Sequence, residues 1–368
     1  MIANVKSGFR ALVAVAVLSS LIAASSAQVE YYNQDGWSGG TTPTPWMNFN
    51  VDDSGNRYFT AFSSVGTYKL SSGVITKIDF SVTGVSSDGT AFGGKFTSPG
   101  NYDPGYLGAD GSVNLLGWSN IGRLPQLWEG EYKIIDETLY NGSTSLGAAA
   151  GRTKLKSSGY SINATSLFDA LGNEIELTGS SSAIFSEPRT TTLDLTNTGK
   201  VLVGRSSLPL VNDPGNSDPY SYSFSLMDIA SQDIVDLPTL PASYVNYVPF
   251  PSSLDWRTTS MLASTNDGGD VVAAISRNGR RSSVAEIWVF QDATGWLNVT
   301  EITGLAPQFL ESIEITNGGL ISGTYRNPNV MYSTGFAVQA PVPEPGTMLL
   351  LAAGAGGLIA ARRKKKQA

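Results

Sequence analysis

Phe49-Asn50-Val51-Asp52-Asp53-Ser54-Gly55-Asn56-Arg57-Tyr58-Phe59 reads as a β-hairpin. An apolar pair leads into a polar turn ending in Gly, and aromatic positions lead out of it. Asp, Asn and Ser bond their own backbone in tight turns, and Gly supplies the positive φ that such hairpins need. The pattern returns at Val85-Ser86-Ser87-Asp88-Gly89-Thr90-Ala91-Phe92-Gly93 and at residues 193–204, Leu193-Asp194-Leu195-Thr196-Asn197-Thr198-Gly199 leading into Lys200-Val201-Leu202-Val203-Gly204. Two further copies run from Met261 to Ala274, turning at Asn266-Asp267-Gly268, and from Ile313 to Gly323, turning at Asn317-Gly318. Each copy closes on a small residue or an aromatic one.

A second kind of hairpin follows several copies. Tyr106-Leu107 to Leu115-Leu116 turns at Asp110-Gly111, Leu167-Phe168 to Ile175 turns at Gly172-Asn173, and Ile287 to Leu297 turns at Thr294-Gly295. Two hairpins make four strands per unit, the content of a propeller blade. From Gln28 to Val338 no amphipathic helix stands out, and turn residues punctuate β-branched and aromatic runs, so the body is all-β. The turn glycines 55, 89, 199, 268 and 318 are 34, 110, 69 and 50 residues apart. The widest gap leaves room for one more unit near Thr144 to Leu177, giving a β-propeller of about six units; a pair of β-sandwiches is the competing architecture. Pairing of Val29 to Tyr32 with Val330 to Val338 would close the ring and leave no open sheet edge.

The chain has 368 residues, 40 Gly, and neither Cys nor His. Absent Cys excludes disulfides, thiolate nucleophiles and sulfur-based zinc sites. Absent His excludes imidazole bases and Ser-His-Asp hydrolysis. Carboxylate, Lys, Tyr or Ser chemistry remains, or binding without chemistry.

Both ends are sorting signals. Residues 1–27 open with Lys6 and Arg10, continue through an apolar run from Ala11 to Ala24, and end in Ser25-Ser26-Ala27. That is the layout of a signal peptide helix cut between Ala27 and Gln28 by signal peptidase. At the other end, Pro341-Val342-Pro343-Glu344-Pro345-Gly346 precedes an uncharged run at 347–361 and the cations Arg362, Arg363, Lys364, Lys365 and Lys366. As a transmembrane helix, the uncharged run would be roughly 22 Å long, against a hydrocarbon core of roughly 30 Å. The basic tail at 362–368 would stay on the cytoplasmic side and leave the body outside. The chain therefore divides into a signal at 1–27, an all-β body at 28–338, a linker at 339–346, an apolar helix at 347–361 and a basic tail.

Pro343-Glu344-Pro345, the Gly/Ala/Leu-rich run and the basic cluster, in that order at the end of the chain, resemble the PEP-CTERM sorting signal of exported bacterial proteins. The resemblance implies an exosortase that recognises Pro343, Glu344 and Pro345 and frees the body from a transient inner-membrane anchor. It also implies a bacterium that builds exopolysaccharide and biofilm matrix. The paired hairpins resemble the HAF-type extracellular repeats of some such proteins, although the His of that repeat is absent. Setting aside seven cations in the two signals leaves 17 against 31 acids, a net charge of −14, which does not suit nucleic acid or anionic lipid as partner.

Within the body, Asp52 to Asn56, Asp213 to Asp218 and Asp267 to Asp270 cluster the hard oxygens that Ca2+ takes, without the spacing of an EF-hand; turn formation explains them equally. Glu129 and Glu131 flank Gly130 and on one strand would share a face about 7 Å apart, within reach of a glycosidase pair. Tyr31, Tyr32, Trp37, Trp46, Tyr220, Tyr222, Tyr244 and Tyr247 are candidate stacking platforms for sugars, whereas Trp288 and Trp296 fit blade packing. No catalytic residue, metal ligand or cofactor is assigned. The expected role is non-enzymatic adhesion in the exopolysaccharide matrix or at the cell surface, with a secreted carbohydrate-active enzyme as the alternative.

Overall fold

The computed structural model describes residues 29–32, 47–61, 67–98, 101–108, 110–118, 124–186, 190–206, 222–240, 245–246, 262–276, 284–308, 310–326 and 333–341. These form seven antiparallel sheets, each a blade. Blade 1 comprises Met47–Val51, Arg57–Ala61, Thr67–Ser71 and Val74–Ile78; blade 2 comprises Ser81–Val85, Ala91–Ser98, Asn101–Leu107 and Val113–Leu115. Blade 3 takes Leu127–Glu129, Tyr132–Ile135, Thr138–Asn141 and Thr144–Ala148. Blade 4 is slight, with Lys154–Leu155, Ser161–Ile162 and Leu167–Phe168, extended by a bridge from Phe168 to Glu174. Blade 5 has Thr190–Leu195, Lys200–Ser206, Tyr222–Asp228 and Ile234–Asp236; blade 6 has Leu262–Thr265, Val271–Ser276, Glu286–Gln291 and Gly295–Asn298, with Val245–Asn246 also on its second strand. Blade 7 is made of Leu310–Ile315, Leu320–Arg326 and Ser333–Gln339, and its fourth strand is Glu30–Tyr32 from the other end of the body. Two short helices, Gly179–Ser186 and Val299–Thr303, join blades 4 to 5 and 6 to 7.

The first strands of successive blades touch from blade 1 through blade 7, and blade 7 returns to the first strand of blade 1. The body is thus a seven-bladed β-propeller, which sets aside the sandwich pair and corrects the expected six units to seven. The 110-residue gap holds two blades. Blade 3 was hidden because its first hairpin turns on two residues, Gly130 and Glu131. Blade 4 is the unit expected near Thr144 to Leu177; only the gap marked it, because its turn, Ser157-Ser158-Gly159, has neither Asp nor Asn.

Six of the seven first hairpins share one turn. In blade 1, Gly55 N–H donates to Asp52 O at 2.9 Å and Asp52 N–H to Asn56 O at 3.1 Å; the same pair of bonds closes the turns at 86–90, 156–160, 196–200, 266–270 and 316–320. This is a three-residue loop whose last residue lies in the left-handed region. That residue is Gly269 (φ 89°) in blade 6 and Gly319 (φ 76°) in blade 7, one place after the glycines the sequence suggested. The first residue of the turn fixes it: Asp52, Thr196, Asn266 and Thr316 each accept the N–H four residues on, at 2.8 to 3.0 Å.

The core lies between blades. Phe49, Val51 and Phe59 of blade 1 pack on Ala337 of blade 7 across the seam. Between blades 6 and 7, Val272, Ile287, Val289, Leu310, Ile313 and Phe336 form the largest buried cluster. At about 1.5–3 kcal/mol per buried aliphatic or aromatic side chain, these seams replace the disulfides that the chain lacks. The seam is also held by Arg57 of blade 1, whose guanidinium pairs with Glu30 at 2.6 Å.

Ala27, Gln28, Pro343, Glu344, Pro345, the apolar run at 347–361 and the cations at 362–366 lie outside the described residues, as does the Asp213 to Asp218 cluster. No helix among the described residues is long and apolar enough to cross a membrane.

Candidate functional site: the central channel and its rim

Antiparallel order places the turn between strands 1 and 2 and the turn between strands 3 and 4 on one face of every blade. The second residue of each first turn points around the ring. Ser157 donates from N–H and Oγ to Asn197 Oδ1 at 3.3 and 3.0 Å. Asn197 in turn donates from N–H and Nδ2 to the Asp267 carboxylate at 2.6 and 3.1 Å. Asp267 N–H donates to Asn317 Oδ1 at 2.8 Å, and Asn317 donates from N–H and Nδ2 to Asp53 at 2.7 and 3.0 Å. One run of bonds therefore crosses blades 4, 5, 6, 7 and 1, including the closing seam. The Asp53 and Asp267 carboxylates face amides here and not each other, so the turn reading accounts for both. Asn317→Ala removes the side-chain part of the link across the seam and leaves the backbone N–H bond to Asp53. It is expected to cost about 1 kcal/mol, exposed charge-assisted bonds being modest, and thermal unfolding of the variant checks it.

Inside this rim opens a channel of about 280 Å³ lined by the first strands and turns of all seven blades. Three side chains cross it. Lys154 of blade 4 lies 3.8 Å from Asp194 of blade 5 and 3.4 Å from Glu314 of blade 7. Asp194 is 4% exposed as a side chain and also accepts Ser264 Oγ at 2.6 Å and Thr265 N–H at 3.0 Å from blade 6. The Asp194 carboxylate, with Glu314 beside it, holds the Lys154 ammonium above its ordinary range despite burial. Burial works to raise the Asp194 carboxyl, but Lys154, Lys156 and the bonds from Ser264 and Thr265 together keep it below its ordinary value. Four blades are thus tied through one ion cluster.

Glu129 stands at the mouth, buried, and accepts Ser87 N–H and Oγ from blade 2 at 2.8 and 2.7 Å. Burial pushes its carboxyl up, while Lys156 and the Ser87 bonds pull it down by less. Glu131 does not join it. Strand Leu127–Glu129 ends at Glu129, Gly130 turns the chain at φ 57°, and Glu131 is exposed in the turn. The expected pair on one strand face is therefore corrected: the two carboxylates are split by a hairpin turn. Because burial already disfavours the charged form of Glu129, Glu129→Gln is expected to leave stability at pH 7 unchanged or raised. Glu129→Ala orphans Ser87 and lowers it by about 1–2 kcal/mol; melting curves of the two variants separate the cases.

Lys156 lines the mouth between Glu129 and Asp194, half-buried, and its side chain has no hydrogen bond or ion pair among the described residues. Trp296 packs on Phe290 and Phe224 and donates to Pro238 O at 2.6 Å, and Trp288 is 7% exposed, so both serve blade packing. Trp37, Trp46, Tyr220, Tyr244 and Tyr247 lie outside the described residues; Tyr31, Tyr32 and Tyr222 lie on strands. Lys154, Lys156, Asp194 and Glu314 escaped the sequence reading because 160 residues separate the triad's ends. The signal was a charged residue set between apolar ones just ahead of a turn, as in Leu193-Asp194-Leu195 and Ile313-Glu314-Ile315.

No curated protein matches the sequence. Among solved structures, the chain is similar to a streptogramin B lyase at 13% identity, over 84% of this chain and 97% of that one, with a TM-score of 0.43. A putative 6-phosphogluconolactonase from Bacteroides uniformis matches at 12% identity, covering 71% and 86%, with a TM-score of 0.36. The β-propeller domain of the Trilobed protease from Pyrococcus furiosus matches at 9% identity, covering 77% and 80%, with a TM-score of 0.34. Residues 341–365 match the model of the PEP-CTERM protein-sorting motif. The chain carries that motif at its end, directly after the last strand of the propeller, which implies export and exosortase processing.

Proposed function

We propose that this protein is a non-enzymatic, polysaccharide-binding propeller of the exopolysaccharide matrix or cell surface. It is exported through its N-terminal signal, held briefly in the inner membrane by residues 347–361, and released by exosortase at Pro343-Glu344-Pro345. The observation that carries this reading is the PEP-CTERM motif at 341–365 joined to an acidic propeller. The channel mouth is the binding surface of this proposal. Asp53, Glu129, Asp194, Asp267 and Glu314 outnumber Lys154 and Lys156 there, which favours neutral or amino-sugar polymers over uronates. Amide, hydroxyl and carboxylate groups around the rim suit sugar hydroxyls.

The test is binding of the released body to a panel of neutral, amino-sugar and uronate polysaccharides, repeated with Lys156→Gln and Glu314→Gln. Expected is retention on a neutral or amino-sugar polymer and at least tenfold weaker binding by one of the variants. Failure to bind any of the panel, or equal binding by both variants, contradicts it.

One observation favours the alternative of a carbohydrate-active enzyme: the raised carboxyl of Glu129 suits a general acid. Turnover of a polysaccharide that Glu129→Gln abolishes would establish that role; turnover that survives the substitution would discard it.

A further inference from the structure

The two ends of the propeller body leave it side by side. Glu30 pairs with Ala337, Tyr31 with Phe336 and Tyr32 with Gly335, so in this antiparallel register the chain enters at the end of the blade where Gln339 leaves. That end is the rim face. Gln339 Nε2 donates to Gly318 O at 2.9 Å, and Ala340 N–H donates to Gly319 O at 2.8 Å. Gly318 and Gly319 belong to the same turn as Asn317, which lines the channel mouth and joins the bonded run. Ala340 is 1% exposed and Pro341 half-buried, so the body remains packed against the rim up to the first residue of the sorting motif.

We infer that the rim face is turned toward the inner membrane for as long as the tail is anchored, so that release by exosortase is what opens the channel mouth to polymers. This rests on the anchoring proposed above and adds an orientation to it. Thr347 is seven residues beyond Ala340. A fully extended chain covers at most about 3.3–3.6 Å per residue, which keeps the blade 7 rim within roughly 25 Å of the apolar run. A tether attached to the opposite face would leave the mouth directed away from the bilayer; here it is attached one turn from the mouth itself.

Charge explains why the face does not simply adhere. Asp53, Asp88, Asp169, Asp228, Asp267 and Asp292 occupy the turns of this face. Anionic headgroups attract basic surfaces and repel acidic ones. The face is thus held near the membrane by the covalent tail and separates once the tail is cut.

The chain has no Cys, so single introduced thiols report accessibility without background. Ser54→Cys marks the rim in the exposed first turn of blade 1, and Ala164→Cys marks the opposite face in the exposed loop between strands 2 and 3 of blade 4. Both variants are made in the full chain. They are labelled with a bulky polyethylene-glycol maleimide, first as the membrane-held form in permeabilised cells lacking exosortase, then as the form released by exosortase. The expected result is labelling at residue 54 at least tenfold slower than at residue 164 in the held form, with the difference lost on release. Equal rates in the held form, with the protein in the membrane fraction, overturn the orientation and leave the anchoring intact. Recovery of the full chain outside the membrane fraction overturns both. Melting curves of each thiol variant against the parent confirm that the propeller is unchanged.

Discussion

Asp194→Ala is expected to lower the stability of the propeller by about 3 kcal/mol, or roughly 5 °C in melting temperature. The carboxylate is nearly fully buried and serves Lys154 of blade 4 together with Ser264 and Thr265 of blade 6. Removing it leaves a half-buried ammonium facing only Glu314 and orphans two donors, and unpaired groups cost more than the net worth of the bonds they made. Lys154→Met should cost less, because Asp194 keeps its bonds from Ser264, Thr265 and the Leu195 N–H at 2.8 Å. The ranking of the two variants matters as much as the size of either. Equal losses would mean that the ion pair, and not the set of bonds around Asp194, holds the four blades.

The pH dependence follows from the same cluster. Asp194 has a depressed folded pKa, so its contribution is present above the unfolded value near 3.8 and is lost as pH falls below that into the folded range. Lys154 has a raised folded pKa, so its contribution is complete below the unfolded value of 10.5 and disappears only above it. Stability measured by denaturant should therefore fall at the acid flank, and less steeply in Asp194→Ala than in the parent.

Gly93→Ala is the second large effect. Gly93 opposes Val82 where the first strand of blade 2 shifts register between Val82 and Gly84. A methyl group on Gly93 would stand 1.8 Å from the Ser81 carbonyl oxygen and 2.9 Å from its carbon. Both are backbone atoms, so no side chain can swing aside and the bulged strand itself must move. Overpacking of this kind costs about 3 kcal/mol or more and loosens the strand that lines the channel. In blade 6, where the corresponding strand pair runs without a shift, Ala273 occupies the matching position against Ala263. A Gly93→Ala protein with the parent's melting temperature would show that the bulge relaxes freely.

The repeating turn made the fold legible. Asp, Asn or Thr to accept the N–H four residues on, as in blades 1, 5, 6 and 7, and Gly for the left-handed residue are local demands that a single such copy displays. Blade 3 escaped because Gly130-Glu131 makes a shorter turn, and blade 4 was marked only by the gap near Thr144 to Leu177, since its turn keeps Gly159 but opens on Lys156. The closing strand was legible as well, since an apolar run at each end needs a partner. The ion cluster was not. Lys154, Asp194 and Glu314 meet only because the ring brings blades 4, 5 and 7 around one axis, and spacing along the chain holds no trace of that. Glu129 and Glu131 show the reverse error: adjacency in sequence suggested a shared face that Gly130 removes.

The mass of the protein recovered from the extracellular fraction tests the central claim most directly. Export, anchoring and release predict a chain that begins at Gln28 and ends within the sorting motif, without residues 347–368. A secreted chain that still contains Lys366 would contradict that account.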